Sequence, residues 1–127
     1  MSADATDARK RSERHGHRAE RLAAWFLRLK GYRVIARRWR TGAGEIDLVV
    51  KRGRVLAFVE VKARADLLAG LEAVTPAARA RIARAGAAWV SRYPAAGTLD
   101  LRYDIIVMRR RRWPVHVPNA FDSLGRL

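Results

Sequence analysis

Two adjacent stretches of the chain decide its fold: GEIDLVVKR at residues 44–52 and VLAFVEVKAR at residues 55–64. Both are rich in β-branched and other apolar residues, which favour strands. The second stretch is almost entirely apolar until its last residues, which is typical of a central strand. Arg52-Gly53 suits a two-residue hairpin turn between them. We therefore predict an antiparallel hairpin at the centre of a sheet.

Four charged residues stand at the open end of this predicted hairpin. A turn at Arg52-Gly53 makes Glu45 face Glu60 and places Asp47 diagonally from Glu60, with the backbones roughly 7–8 Å apart. Because side chains alternate along a strand, these acids share one sheet face with Lys62. The opposite face is predicted to be uniformly apolar, with Ile46, Leu48, Val50, Val55, Ala57, Val59 and Val61.

Two of these carboxylates predict a metal site. Asp47 and Glu60 can reach a common point, where their charges repel unless a cation lies between them. A site made only of oxygen atoms suits Mg²⁺ or Mn²⁺. Such an ion can orient a phosphodiester, activate a water and offset charge on the leaving oxygen. Lys62 projects from the same face and could position the attacking water or stabilise charge on the phosphate.

A purely structural interpretation of these residues stays open. The segment Glu60-Val61-Lys62 also resembles an ordinary strand end that turns polar where it meets solvent. Asp47 could cap a loop or pair with one of the many arginines. Short acidic patterns recur often by chance, so their spacing alone does not decide between the two interpretations.

The charge balance indicates a polyanionic partner. Lysine plus arginine number 27 against 12 aspartate plus glutamate, which gives a net charge of +15. A small domain this basic attracts nucleic acid. The base composition of the genome could explain why nearly all the cations are arginine, but it does not explain the shortage of acids.

Length and composition favour one domain that does not cross a membrane. A chain of 127 residues, 50% of them hydrophobic, supplies one core. The absence of cysteine excludes disulfides and thiolate metal sites. The polar N-terminal residues lack the apolar segment of a secretory signal, and no apolar run approaches the roughly 20 residues of a membrane span. We expect a cytoplasmic protein.

Periodicity and turn residues predict the remaining elements. Residues 1–11 are expected to form a disordered basic tail, and residues 12–127 a single domain. Within it we predict a helix over 12–30, a strand over 32–39, a less regular connection over 66–74, a helix from Thr75-Pro76 to about Tyr93, a strand over 99–108 and at most a short edge strand over 115–117. This order favours an α/β sandwich around a mixed sheet.

The sequence resembles the YraN family of small bacterial proteins, which is grouped with restriction-endonuclease-like and Holliday-junction-resolvase-like folds. The pairing of GEIDLVV at 44–50 with FVEVKAR at 58–64 carries most of the resemblance. Shorter matches lie at Gly16 through Ala23, Gly31-Tyr32, Ala73 through Pro76, Arg102-Tyr103-Asp104 and Asn119 through Asp122. The resemblance implies an α/β restriction-endonuclease-like sandwich, with a mixed central β-sheet flanked by helices.

The resemblance also implies roles for particular residues. Asp47, Glu60 and Lys62 would be the D, E and K of the PD-(D/E)xK nuclease motif. The backbone carbonyl of Val61 would be an additional metal ligand, and Glu20 would be the helix acid found near the metal in resolvase-like relatives. For Glu20, pairing with an arginine of its own helix is the structural alternative.

This chain departs from the family pattern at two positions near these motifs. Ala78 stands where the family tends to have a lysine, and Arg38 where an asparagine is usual. Both departures concern phosphate contacts more than the metal site. The arginines that we predict to contact nucleic acid are Arg38, Arg40, Arg64 and Arg79, with Arg81, Arg84 and the run Arg109 to Arg112 as further candidates.

Three functional hypotheses follow. The first is a Mg²⁺-dependent DNA endonuclease that acts on branched or damaged DNA, and junction resolution would favour a homodimer. The second is a nucleic-acid-binding module that retains the fold without turnover. The third is an adaptor that recruits a partner through residues 109–127.

Overall fold

The computed structural model describes the backbone of residues 3–127 and the side chains of residues 16–127. The five strands form one sheet in the order β1-β2-β3-β4-β5, in which β3 and β4 are parallel and the other neighbours are antiparallel. The elements along the chain are α1 (Ala3–Leu29), β1 (Arg33–Arg40), β2 (Glu45–Arg52), β3 (Val55–Ala63), α2 (Leu67–Ala73), α3 (Pro76–Arg92), a 3-10 helix (Pro94–Thr98), β4 (Asp100–Met108) and β5 (Val115–Phe121).

The sheet is covered by helices on both faces, so the predicted restriction-endonuclease-like sandwich is confirmed. Helix α1 covers one face through buried small residues, Ala19, Ala23 and Ala24, together with Leu27. Alanines allow the helix to lie close to the sheet, so their side chains form the contact. The recurrence of Ala19, Leu22, Ala23, Phe26 and Leu29 in the sequence predicts one buried stripe, but Leu22 and Leu29 are largely exposed, so the prediction is wrong for these two residues.

Helix α3 covers the other face and begins where the sequence predicts. The Thr75 hydroxyl accepts a hydrogen bond from the Ala78 N–H (3.1 Å), and Pro76 stands at the first helical position, where its missing N–H costs nothing. Ile82, Ala85 and Trp89 are buried in one core cluster with Phe58, Tyr103 and Val107 of the sheet, and Gly86 is buried as well. The spacing of these residues along the sequence predicts one apolar face of this helix, and that prediction is confirmed.

The first helix starts earlier than its sequence periodicity predicts. It begins at Ala3 and not at Ser12, so most of the segment expected to be a disordered tail is helical in the structure. The segment contains alanine, lysine and arginine, which have high helix propensity. The division into a tail and a domain at residue 12 stays a prediction.

Two further segments differ from the predictions. Residues 67–73, expected to be irregular, form α2, whose N-cap Asp66 accepts a hydrogen bond from the Ala69 N–H (2.8 Å). Strand β5 is longer than predicted and pairs with β4 at the sheet edge. Pro118 fits there because an edge strand has unpaired positions. The adaptor hypothesis treated residues 109–127 as a removable tail, which is wrong because this segment contains a strand of the sheet.

Candidate active site

The hairpin of β2 and β3 has a different register from the predicted one. Arg52 pairs with Val55, so the turn residues are Gly53-Arg54 and the predicted turn at Arg52-Gly53 is wrong. Gly53 takes the left-handed conformation, φ 59°, at the first central position, as a type II′ turn requires. The shift of two residues keeps the alternation of faces but brings Asp47 opposite Glu60 instead of diagonal to it.

Backbone pairing between the two strands stops just before these acids. The last paired residues are Leu48 and Val59. Beyond them the Val61 N–H donates to Oδ2 of Asp47 (2.8 Å). Because the N–H and C=O of one strand residue point to the same side, the Val61 carbonyl faces the same gap. The predicted ligands Asp47, Glu60 and Val61 are therefore brought together.

The strands splay here because β2 is irregular. Ile46 and Val49 both belong to the core under α3, whereas Leu48 and Val50 belong to the core under α1. The strict alternation along the strand is thus broken next to Asp47. The prediction that Ile46 lies on the same face as Leu48 and Val50 is wrong, and the site is open toward both helical layers.

Glu20 reaches the site from α1. It lines one cavity of about 420 Å³ with Asp47, Glu60 and Lys62. Its Oε2 lies 3.3 Å from Nε of Arg38, so its partner is on β1 and not on its own helix. A distant helix and two consecutive strands therefore bring the four predicted catalytic side chains to one cavity.

The three acids perturb one another. Burial, followed by the charge of Asp47, raises the pKa of Glu60 to about 8, against the opposing effect of Lys62, whose Nζ lies 3.3 Å from Oε1 of Glu60. Burial and then Asp47 also raise the pKa of Glu20 to about 7, although Arg38 opposes this. Burial raises the pKa of Asp47 itself, although the Val61 N–H and Glu60 oppose it. These acids carry more negative charge than Lys62 and Arg38 offset.

A hard divalent cation fits this donor set. Carboxylate and carbonyl oxygens are the ligands that Mg²⁺ and Mn²⁺ prefer, and a cation would offset the repulsion among the acids. Among the described residues, no three histidine, cysteine, aspartate or glutamate side chains are already arranged to hold a metal ion. Two carboxylates and the Val61 carbonyl could nevertheless supply a site once Glu60 turns away from Lys62.

A second, smaller cavity opens on the α3 side of the same acids. It has a volume of about 200 Å³ and is lined by Asp47, Glu60 and Lys62 together with Ala78 and Arg81 of α3. Ala78 is the position at which the family tends to have a lysine. Arg81, one of the further candidate arginines, is therefore the cation that α3 supplies to the lining of this cavity.

The four arginines predicted to contact nucleic acid lie in different surroundings. Arg64 is exposed and lines the cavity of the acids. Arg40 is largely exposed and lies 3.6 Å from Glu45, whereas Arg38 pairs with Glu20. Arg79 donates from Nε to the Gly125 carbonyl (2.9 Å) and from Nη1 to the Val74 carbonyl (2.9 Å). Its guanidinium is thus engaged in holding the C-terminal turn, away from the acids.

A second buried charge lies on β4, outside the cavity of the acids. Asp104 is fully buried and accepts hydrogen bonds from Arg102, from Nε2 of His116 and from the Asn119 N–H. Because the Lys30 ammonium can only donate, Nδ1 of His116 accepts from it (2.6 Å) and Nε2 carries the proton toward Asp104. This network joins α1, β4 and β5.

Two sequence expectations bear on the histidines and tryptophans. His15, His17 and His116 show no metal-ligand spacing in the sequence, which predicts exposed side chains, but this is wrong for His116, whose side chain is 3% exposed. His17 is exposed as expected, and His15 lies outside the described side chains. Trp89 is buried as predicted, and Trp39 packs edge-on against it at 5.0 Å, so packing and not an open stacking surface accounts for Trp39.

Sequence reasoning missed Arg18, which lines a cavity that adjoins the acids. The available signal was its spacing of four from Leu22, which places both side chains on one flank of α1. The cavity itself depends on contacts between distant segments and has no local sequence signal.

The fold and site define a class: an α/β protein with a restriction-endonuclease-like sandwich and a cluster of acids and a lysine at the end of its central hairpin. The model of the uncharacterised protein family UPF0102 matches residues 19–108. The chain belongs to this family, which is also called the YraN family, and the resemblance is thereby confirmed.

Relatives in this family match nearly the whole chain. A UPF0102 protein of Chelativorans sp. (strain BNC1) is 51% identical over 97% of this chain and 99% of its own length. One from Methylorubrum extorquens (strain PA1) is 50% identical over 97% of this chain and 96% of its own. One from Parvibaculum lavamentivorans is 56% identical over 85% of this chain and 81% of its own. Among the described residues, no helix is long and apolar enough to cross a membrane.

Proposed function

We propose that the chain is a metal-dependent DNA endonuclease of the PD-(D/E)xK type, which hydrolyses phosphodiesters in branched or damaged DNA. The observation that carries this proposal is the convergence of Glu20, Asp47, Glu60 and Lys62 on one cavity. The net charge of +15 supports a polyanionic substrate. A cytoplasmic location and a homodimer on two-sided substrates are part of the same proposal.

In this mechanism Asp47, Glu60 and the Val61 carbonyl hold Mg²⁺ or Mn²⁺. When bound, the ion supplies charge neutralisation and activation of water. With the ion bound, the Glu60 carboxylate would have a divalent partner, and Lys62 would be free of its ion pair with Glu60. The Lys62 ammonium can then hold the attacking water or the phosphate oxygens by hydrogen bonds.

Glu20 and Arg64 have supporting roles in this proposal. Glu20 lies in the same cavity, where its carboxylate can accept or return a proton. Arg64 is exposed at the mouth of the cavity and can hold a substrate phosphate.

The test is a cleavage assay on duplex, single-stranded, flapped and four-way DNA with Mg²⁺ or Mn²⁺. Wild type should cut at least one substrate. Asp47→Ala and Lys62→Ala should not, although both should still bind DNA. Glu72→Ala, which removes an exposed acid on α2 away from the cavity, is the matched control and should cut like wild type. Full activity of Asp47→Ala would refute the assignment.

A non-catalytic nucleic-acid-binding module is the second candidate. The ion pair between Lys62 and Glu60 favours it, because that pair offsets the charge of one acid without a metal. This module should bind DNA with a steep dependence on salt and form no metal-dependent product. The same assay separates the two functions, because only the nuclease yields a product that Asp47→Ala abolishes.

A further inference from the structure

The loop between β4 and β5 carries four consecutive arginines in a tight turn. The Arg112 N–H donates to the Arg109 carbonyl (3.3 Å), and Arg111 takes the left-handed conformation with φ 59°. Glycine or asparagine adopts this conformation at lower cost. The turn therefore keeps an arginine where folding alone would favour another residue, which points to a use for its charge.

These arginines line a cavity of about 660 Å³ together with Arg18 and Leu22 of α1. The residues that line it include no acid. Within the described part of the chain, none of its five arginines forms an ion pair. Like charges held this close repel one another unless an anion lies among them.

Arg109 supplies a donor that lacks a protein acceptor. Its Nε is buried without a hydrogen-bond partner among the described residues, whereas its Nη2 donates to the Trp113 carbonyl (3.0 Å). The guanidinium is thus held in place by one nitrogen while another is unsatisfied. An unpaired buried donor is costly. Because this nitrogen is closed to solvent, a small movement of the guanidinium would be needed for a phosphate oxygen to accept from it.

The arginine cavity adjoins the acid cavity. Ala19 and Ala63 line both of them. This contact follows from the sheet, because Ala63 at the end of β3 pairs with Met108, the residue before the arginine run. A nucleic-acid strand with one phosphate at the acids can therefore continue into the arginine cavity.

Trp113, at the end of the same loop, offers a surface for a base. Its side chain is 75% exposed, and its ring lies against Phe26 with a centroid separation of 6.5 Å. An exposed aromatic ring beside arginines is the combination with which proteins hold unpaired bases, and such stacking is independent of sequence. Duplex bases stack on each other and leave no face free for it.

We propose that the β4–β5 loop and Arg18 form a subsite for an unpaired nucleic-acid strand, with phosphates among the arginines and a base on Trp113. This inference rests on the proposed function for the adjoining acids, and it specifies the substrate as one with a single-stranded segment next to the cut. The loop lies just after residue 108, where the match to the family model ends.

The test measures binding in EDTA, where cleavage does not interfere. Fluorescence anisotropy would compare a labelled single strand, the blunt duplex of the same sequence, and that duplex with an unpaired arm, using DNA and RNA arms. The variants are Trp113→Ala and Arg111→Gly. The control is Arg33→Ala, which removes an exposed arginine on β1. Arg33 pairs across the sheet with Lys51 beside the β2–β3 turn, at the end of the sheet opposite the arginine cavity.

Trp113→Ala should weaken binding of the single strand and the armed duplex about 5- to 100-fold, the range of one lost base stack, with little change for the blunt duplex. Arg111→Gly should also weaken binding of unpaired strands, yet unfold at the same or a higher temperature because glycine relieves the left-handed turn. Arg33→Ala should lower all affinities by one common, small factor. Tighter binding of either the DNA or the RNA arm would identify the sugar and support the subsite.

Equal losses by Trp113→Ala on single-stranded and blunt DNA, or losses no larger than those of Arg33→Ala, would overturn the subsite. The proposed nuclease function can fail separately. If wild type cuts no substrate in Mg²⁺ but still prefers unpaired strands through Trp113, the nuclease assignment falls and the subsite is supported.

Discussion

Replacing Glu60 by glutamine should remove a large part of the pH dependence of stability that the metal-free protein shows between mildly acidic and alkaline pH. The pKa of Glu60 is raised from 4.5 to about 8, so folding favours the protonated acid. The corresponding stabilisation is fully present below pH 4.5 and is lost as the pH rises through 8. Glutamine stays neutral at every pH and retains the size of the protonated side chain.

The size of this effect follows from the shift. At about 1.4 kcal/mol for each tenfold change in proton affinity, a rise from 4.5 to about 8 corresponds to a loss on the order of 5 kcal/mol at alkaline pH. A domain is stable by only about 5–15 kcal/mol in total. Wild type in EDTA should therefore unfold roughly 10 °C or more lower at pH 9 than at pH 5 because of this residue.

The assay is thermal unfolding followed by circular dichroism in EDTA, from pH 5 to pH 9. Glu60→Gln should show a much flatter profile than wild type and should be the more stable protein at pH 9. Glu72→Gln, at an exposed position on α2, should follow the wild-type profile. If the melting temperature of Glu60→Gln falls with pH as steeply as that of wild type, Glu60 is not buried among acids that repel it, and the reasoning is refuted.

Three further predictions address the metal, the buried network and the α3 packing. Mg²⁺ at one hundred times its dissociation constant should stabilise wild type by about 2.7 kcal/mol, and Asp47→Asn should lose this stabilisation in the same melting assay. Asp104→Asn should lower the free energy of unfolding in urea by about 3–5 kcal/mol at pH 7, because Arg102 and His116 lose a charged acceptor. Burial alone would raise the pKa of Asp104, but these hydrogen bonds lower it. The difference between the variant and wild type should therefore shrink as acid protonates Asp104 in wild type. A glycine-to-alanine change inside a helix normally stabilises it by about 1 kcal/mol. Gly86→Ala should instead destabilise the protein by about 1–3 kcal/mol, because the new methyl group overlaps the Tyr103 side chain. Equal or higher stability of this variant in the same unfolding assay would contradict the described packing.

Local signals predicted the elements of this fold better than their pairing. Thr75-Pro76 marks the start of α3 by its own chemistry, and the apolar run of β3 marks a central strand wherever it lies. The hairpin register depends on whether Gly53 is the first or the second turn residue, and the sequence allows both. In the structure Gly53 is the first turn residue, so Asp47 lies directly opposite Glu60 and not diagonal to it as predicted.

The remaining errors concern contacts between segments that are distant in sequence. Glu20 pairs with Arg38, and neither residue carries a signal of the other. His116 is polar and lies in a short strand, so the sequence predicts exposure; it is buried because Lys30 and Asp104 satisfy both ring nitrogens. The motif itself was accessible from the sequence because its members stand on two consecutive strands.

The topology explains why acids and arginines meet at one edge of the sheet. Antiparallel pairing brings the start of β2, with Asp47, to the end of β3, with Glu60 and Lys62. Parallel pairing then brings the end of β4 to the same edge, so the turn that follows must lie beside the acids. A basic turn at this place would add affinity for phosphate next to the proposed metal site without adding charge inside it. The same arginines in the β2–β3 turn would lie at the opposite edge, where they could not hold the strand that the acids are proposed to cut.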